Sequence, residues 1–374
     1  MRDNTRKASS NKNRKTHKKG GKFIFSGAAG CTFRPALKCK AEPKRREGKI
    51  SKLMDKFAAE EELELTQLIK EIDPEKKYFI YPDEMCSPDL TETPEDDYSS
   101  CKLVDIKNKY ISPRILISED GGTDLWNIDV PKEDYLGFFE GLTNLFKGLV
   151  ELHKNSVVHL DIKPANLVSK RLVDGTHIMR YIDFGLSSNA TAASKSYLSE
   201  NYAYWPYDIK LITKRFKFSQ DDLVDFYDVQ KTGGRYFPKW LAYNGDGSFL
   251  LHEEYAKKIN GLILKGEISP VTMIKSADIY GLGRSLTEVY GRILRHRWVE
   301  PGTVRIEKVE GRMLIHEQIK NEISKPLYKL AERMIHLSPL ERPSAEDALK
   351  LYEEILPAMR LLFPKLKKEV GVSL

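Results

Sequence analysis

Long apolar runs are missing from this chain. Nowhere do hydrophobic residues continue for the ~18 positions that a helix needs to cross a bilayer, so no membrane partner is expected. The basic N-terminal stretch has no apolar centre of the kind a secretory signal carries, which points to an intracellular protein of the cytoplasm or nucleus. Cysteine is scarce. Cys31, Cys39, Cys86 and Cys101 form no CxxC pair and no metal-ligand spacing, so a structural zinc site is excluded and reduced thiols are expected. There are no internal repeats, which argues against a solenoid or propeller. Acidic residues are nearly absent from positions 2–22, where Arg2, Arg6, Lys7, Lys12, Arg14 and Lys15 face only Asp3. That segment also lacks any hydrophobic period, so residues 1–22 read as a disordered basic tail able to meet an acidic or nucleic-acid partner, or simply to aid solubility.

The remaining 352 positions of the 374-residue chain are long enough for one large domain or two lobes. Phe23–Phe25 and Cys31–Phe33 read as strands around a Gly27-Ala28-Ala29-Gly30 turn. A basic segment, 38–49, leads to a strand at 50–54. Residues 56–72 read as a helix closed by Asp73-Pro74, Tyr78–Tyr81 as a strand, 83–99 as an acidic loop, and Ile111–Ile117 as a further strand. The period then changes. Phe139, Leu142, Phe146, Leu149 and His153 recur at helical spacing, as do Ile279, Leu282, Leu286, Val289 and Ile293. Strands first and helices later imply an α+β chain with a small β-rich lobe and a larger helical one.

Between the two long helical patterns stands His159-Leu160-Asp161-Ile162-Lys163-Pro164-Ala165-Asn166, followed by Asp183-Phe184-Gly185. Phosphoryl transfer asks a protein for a carboxylate to take the hydroxyl proton, cations against developing charge and oxygen ligands for magnesium. Asp161 can be that carboxylate and Lys163 a cation for the γ-phosphate. Asn166 and Asp183 offer hard oxygen donors. The apolar strands Val157-Val158 and Arg180–Ile182 flank these positions.

The pattern H-x-D-x-K-P-x-N followed by D-F-G resembles the protein kinase superfamily. The resemblance covers residues 23–360 with insertions. It implies a bilobal kinase-like fold, with a β-rich ATP-binding lobe at 23–115, a hinge at 116–122 and a helical lobe at 123–374. It also implies ATP and Mg2+ as cofactors, and a protein with Ser or Thr hydroxyls as substrate, since Lys163 is similar to the lysine of serine/threonine kinases. Asp278 in Ser276–Gly283 is similar to the family's brace for the catalytic loop. Arg342 in Glu341–Ser344 is similar to an arginine that pairs with an acid closing the activation segment, best matched by Asp208.

The ATP-binding half departs further from the family. Phe25 stands where the glycine loop's first glycine is usual, while Gly27 and Gly30 remain and Thr32 follows. Lys52 in Ile-Ser-Lys-Leu resembles the phosphate-anchoring lysine, with Lys38 its rival. Glu64 is the expected helix partner on a face continued by Leu68, with Glu61 and Glu62 as alternatives. Leu116 or Ile117 would back the adenine pocket, and Ser118–Gly122 would be the hinge. Leu160 replaces an arginine common in regulated kinases, so activity without an activating phosphate is implied. Residues 209–275 form a long insertion, either packed on the helical lobe or serving as a partner platform. The glycine-turn stretch, the Ile-Ser-Lys-Leu strand and this insertion resemble kinases of large DNA viruses, implying a host cell or a virion as location. A monomer is expected as the working form. The rival readings are a pseudokinase scaffold and an aminoglycoside-type small-molecule kinase, which shares H-x-D-x-x-x-x-N.

Overall fold

The computed structural model describes residues 21–27, 30–42, 46–90, 101, 112–194, 202, 204–206, 208–209, 261–262, 264–294, 317–336 and 338–370. The basic tail and most of the insertion therefore lie outside the described residues. The chain divides into two compact units, one formed by Met1–Glu60 with Pro82–Asp120 and the other by Glu61–Tyr81 with Gly121–Leu374. It is a mixed α+β protein: the first unit carries an antiparallel sheet, and the second carries most of the helix.

In the first unit β1 (Lys22–Ser26), β2 (Cys31–Arg34), β4 (Lys49–Asp55), β7 (Pro113–Glu119) and β5 (Glu84–Cys86) pair in the order β1-β2-β4-β7-β5. Short strands β3 (Lys38–Cys39) and β6 (Pro88–Asp89) pair with each other. Phe33, Leu53, Ile115 and Ile117 join one buried cluster with Ala36 and Leu37. Alternation is clear in β2, where Cys31 and Phe33 are buried and Arg34 is exposed, while in β4 and β7 the neighbours Met54 and Leu116 are buried as well. The acidic segment read as loop supplies β5 and β6 instead. It is too short and too polar to show a period of two, yet Met85 and Cys86 pair with Leu116 and Ile115 at the sheet edge.

The cysteines depart from expectation. Cys31 is joined to Cys101 and Cys39 to Cys86, each pair with Cα atoms 5.7 Å apart, so the reduced-thiol reading is corrected. The partners are 70 and 47 residues apart, too far for any local spacing to signal the pairing. Closing loops of this length stabilises a fold by about 4 kcal/mol each in the chain-entropy account. Peptide mapping without reductant should recover both cross-linked pairs, and reductant should lower the unfolding midpoint of the oxidised chain. An unchanged midpoint would show that the bridges carry no stability.

Helix α1 (Lys56–Ile72) begins where Asp55 accepts the Phe57 amide at 2.9 Å, and it stops before Pro74. Beyond it, the buried Asp73 carboxylate accepts the amides of Lys77, Tyr78 and Phe79 at 2.6–3.1 Å. Those bonds explain why Tyr78–Tyr81 forms a single bridge, Phe79 with Tyr181, and not the expected strand.

The second unit has the short strands β8 (Thr123–Asp124), β9 (Val157–Val158), β10 (Leu167–Arg171), β11 (His177–Tyr181) and β12 (Ser188–Asn189). Its helices are α2 (Tyr135–Lys154), α3 (Ala190–Ala193), α4 (Pro270–Ile293), α5 (Lys325–Met334), α6 (Ala345–Glu353) and α7 (Leu356–Val370). The core joins α2 residues Phe139, Leu142, Phe146 and Leu149 to α4 residues Leu282, Leu286 and Val289, with Tyr352 and Phe363 closing one side. Side-chain caps start two helices: Ser269 accepts the Thr272 amide ahead of Pro270, and Ser344 accepts the Asp347 amide, both at 3.0 Å. The strands at 157–158 and 177–181 do not pair with each other. The first pairs with β12 and the second with β10, so the two arms of one loop region are anchored separately. Among the described residues no helix is long and apolar enough to cross a membrane.

Candidate active site

The segment 159–166 leaves β9, whose two valines are fully buried, and closes with a single 3-10 turn at Pro164–Asn166 before β10. Proline at the first position of that turn fixes its φ and has no amide to leave unpaired. The bend itself needs Leu160 at φ 60°, an uncommon conformation for a side chain of this size. Asp278 on α4, only 1% exposed, holds it there: its carboxylate accepts the His159 amide at 2.7 Å and the Leu160 amide at 2.8 Å. From the other side the Trp205 indole donates to the Leu160 carbonyl at 2.7 Å. Gly281 lets α4 pass this close, because a Cβ there would stand 2.9 Å from the Ile162 carbonyl.

The bend delivers Asp161, 7% exposed, into a ring of donors. Lys163 Nζ lies 3.0 and 2.9 Å from its two carboxylate oxygens. Asn166 Nδ2 donates to the Asp161 carbonyl at 2.9 Å and to Oδ2 at 2.7 Å, which turns the Asn166 amide oxygen away from the carboxylate. The Tyr202 hydroxyl donates to Asp161 Oδ1. Sequence reasoning did not single out Tyr202, which stands in a run of aromatic residues with no motif of its own.

Asp183 sits at φ 65°, a second non-glycine residue in the left-handed region. Such strain persists only where surroundings enforce it. Here Phe184, 1% exposed, plugs into the core against His159 (ring centroids 4.9 Å) and Phe79 (5.7 Å), while the Ile182 amide donates to the Asn166 carbonyl at 3.0 Å. Asp183 and Asn166 thus belong to one backbone-linked pair of segments. Their donors are oxygens only, and among the described residues no group of three or more His, Cys, Asp or Glu gathers as a metal cage. That set fits magnesium, which takes one or two protein oxygens and completes its shell with phosphate and water.

Arg342 and Asp208, both fully buried, form a two-pronged ion pair at 2.5 and 3.1 Å, and Arg342 also donates to Ser276 on α4. The pairing expected from the family resemblance is therefore present in the second unit.

The nucleotide-side residues lie in the first unit. The Gly27 amide donates to the Gly30 carbonyl at 2.9 Å, making a tight turn between β1 and β2. Gly30 is required there, since a Cβ would meet the Leu53 carbonyl at 2.8 Å and Lys52 Cγ at 3.1 Å. Lys52 is opposite Thr32 on one side and Leu116 on the other, and Ser118 pairs with Ile50 on the same sheet. Lys38 belongs to the separate two-stranded pair with β6. Along α1 the buried positions are Ala59, Glu62, Thr66 and Ile69. Leu68 is 39% exposed and Glu64 is exposed, so the buried face expected to run through them is corrected: it runs through Glu62, one of the weighed alternatives. A shift of two residues is about 200° around a helix, enough to exchange inside for outside.

No protein-family model matches the chain. Short stretches do match curated proteins. One, 90 residues at 36% identity, matches a Dictyostelium discoideum protein that bears the name of a cyclin-dependent serine/threonine-protein kinase, and covers 23% of this chain and 13% of that protein. Another, 79 residues at 37% identity, matches the mitogen-activated protein kinase sma-5 of Caenorhabditis elegans, and covers 21% of this chain and 14% of that one. The chain is kinase-like over these stretches. They span about one seventh of the relatives' length.

Proposed function

We propose that this chain is a serine/threonine protein kinase with a bilobal kinase-like fold, transferring the γ-phosphate of ATP to Ser or Thr hydroxyls of a protein. The observation that carries the reading is the Asp161 carboxylate, held by Lys163 and Asn166 on a loop that Asp278 fastens to α4. Such a carboxylate can orient an acceptor hydroxyl and take its proton as the new P–O bond forms. Lys163 balances the charge on Asp161 and on the transferring phosphoryl group. Asn166 and Asp183 would hold magnesium, which when bound screens the phosphate charges. Gly27, Gly30 and Thr32 would approach the phosphates through backbone amides, Lys52 would anchor the α- and β-phosphates, and Leu116 and Ser118 would border the adenine. The glutamate role first assigned to Glu64 passes to Glu62 on the buried face of α1. The resemblance to kinases of large DNA viruses, with a host-cell or virion location and a monomeric form, remains part of this proposal.

Lys52→Met should lose far more activity than Lys38→Met, roughly a hundredfold against less than threefold, because only Lys52 shares a sheet with the glycine turn. Steady-state transfer by the two variants checks this, and the reverse ranking would move the anchor to Lys38. The reading as a whole is tested by incubating the purified chain with Mg2+, ATP and casein or histone, then mapping products by mass spectrometry. Phosphoserine and phosphothreonine are expected. Chiefly phosphotyrosine, transfer only to an aminoglycoside, or no turnover would each overturn it.

A further inference from the structure

The Asp161 carboxylate has no room for a substrate. A carboxylate offers about four lone-pair directions. Oδ1 receives Lys163 and Tyr202, and Oδ2 receives Lys163 and Asn166. An incoming acceptor hydroxyl must donate to this same group before its proton can leave, so one present donor has to go.

Lys163 and Asn166 are fixed two and five residues away on the braced loop itself. Tyr202 comes from 41 residues further along the chain. It is also the one donor of the substrate's own chemical kind, a neutral hydroxyl. Burial and the negative charge of Asp161 push its phenol far above the ordinary tyrosine range, so it stays protonated and keeps donating. Its ring lies 5.7 Å from Lys163 Nζ and 5.2 Å from the ring of Trp205, which is itself tied to Leu160.

We propose that Tyr202 is a specificity-determining residue that occupies the acceptor position on Asp161 and gives it up only to a hydroxyl presented by a bound protein segment. The inference rests on the phosphotransfer reading. Tyr202 competes as an intramolecular ligand at high effective concentration. A protein acceptor brings binding energy from its remaining contacts and can displace it. Water brings none, so Tyr202 suppresses futile hydrolysis of ATP.

The test is Tyr202→Phe, which removes one oxygen and keeps the ring. Without any acceptor, magnesium-dependent ATP hydrolysis should rise about two- to tenfold, the range spanned by the net worth of one hydrogen bond. With casein, KM for the acceptor should fall by a similar factor and kcat should hold. Unchanged hydrolysis overturns the proposal. A lower kcat at constant KM also overturns it, since Tyr202 would then be positioning Asp161 rather than competing for it. Should the variant fail to fold, the wild-type chain supplies a second measurement. Nitration of Tyr202 by tetranitromethane should accelerate when casein and a non-hydrolysable ATP analogue are both added, and an unaltered rate counts against displacement. If wild type and variant alike show no phosphotransfer and no ATP hydrolysis, the kinase reading itself fails. If the wild type transfers phosphate and the variant behaves identically, only the role of Tyr202 fails.

Discussion

Asp161→Asn should lower phosphotransfer by about 10²–10⁴-fold while leaving nucleotide affinity within about twofold. An amide has the carboxylate's size but cannot accept the hydroxyl proton. In either orientation its NH2 group also faces Lys163, together with Tyr202 on one side or Asn166 on the other, all of which donate to this position. Two donors facing each other repel, so part of the loss comes from displaced neighbours. The loop backbone should stay in place, because Asp278 and Trp205 hold it through main-chain atoms of residues 159 and 160. Asp183→Asn differs in kind: it removes an oxygen ligand proposed for magnesium and should weaken nucleotide binding as well as turnover. Single-turnover transfer together with a nucleotide titration separates the two. Near wild-type transfer by Asp161→Asn would remove Asp161 from the role of base.

What could be read in the sequence, and what could not, follows the range of the interactions. The long helices around Leu142 and Leu282 were legible, because a period of 3.6 repeats over many turns. The spacing of 159–166 and 183–185 was legible because neighbouring residues on one loop must share a short stretch of chain. Asp208 and Arg342 were found only through resemblance, since a separation of 134 residues has no local signature. The disulfides were missed for the same reason: Cys31 and Cys101 stand 70 residues apart, and Cys39 and Cys86 stand 47 apart. The error at Glu64 was one of phase. On a helix crowded with glutamates, several faces look equally plausible until Ala59, Thr66 and Ile69 are seen to be buried together. Tyr202 was invisible for another reason, because its significance lies wholly in what its hydroxyl touches.

Breaking the Arg342–Asp208 pair should lower stability sharply. Both side chains are fully buried, and Arg342 spends its other donors on Ser276 and on the His336 carbonyl at 2.7 Å. Removing one member leaves the other's buried charge without its counter-charge, a loss of about 3–5 kcal/mol. Arg342→Met abandons Asp208, and Asp208→Leu abandons Arg342, so each single variant should unfold at markedly lower urea. The double variant should not be worse than the sum. It removes both charges, and apolar replacements of similar volume in a buried ion pair are often close to neutral. A coupling of at least about 2 kcal/mol between the two sites is expected from the double-mutant cycle. Full recovery is not, because Ser276 and the His336 carbonyl still lose their donor. The measurement is urea unfolding followed by circular dichroism for all four chains under one set of conditions. Strict additivity would mean that the two residues act independently, and that Asp208 is tied to α4 through other contacts.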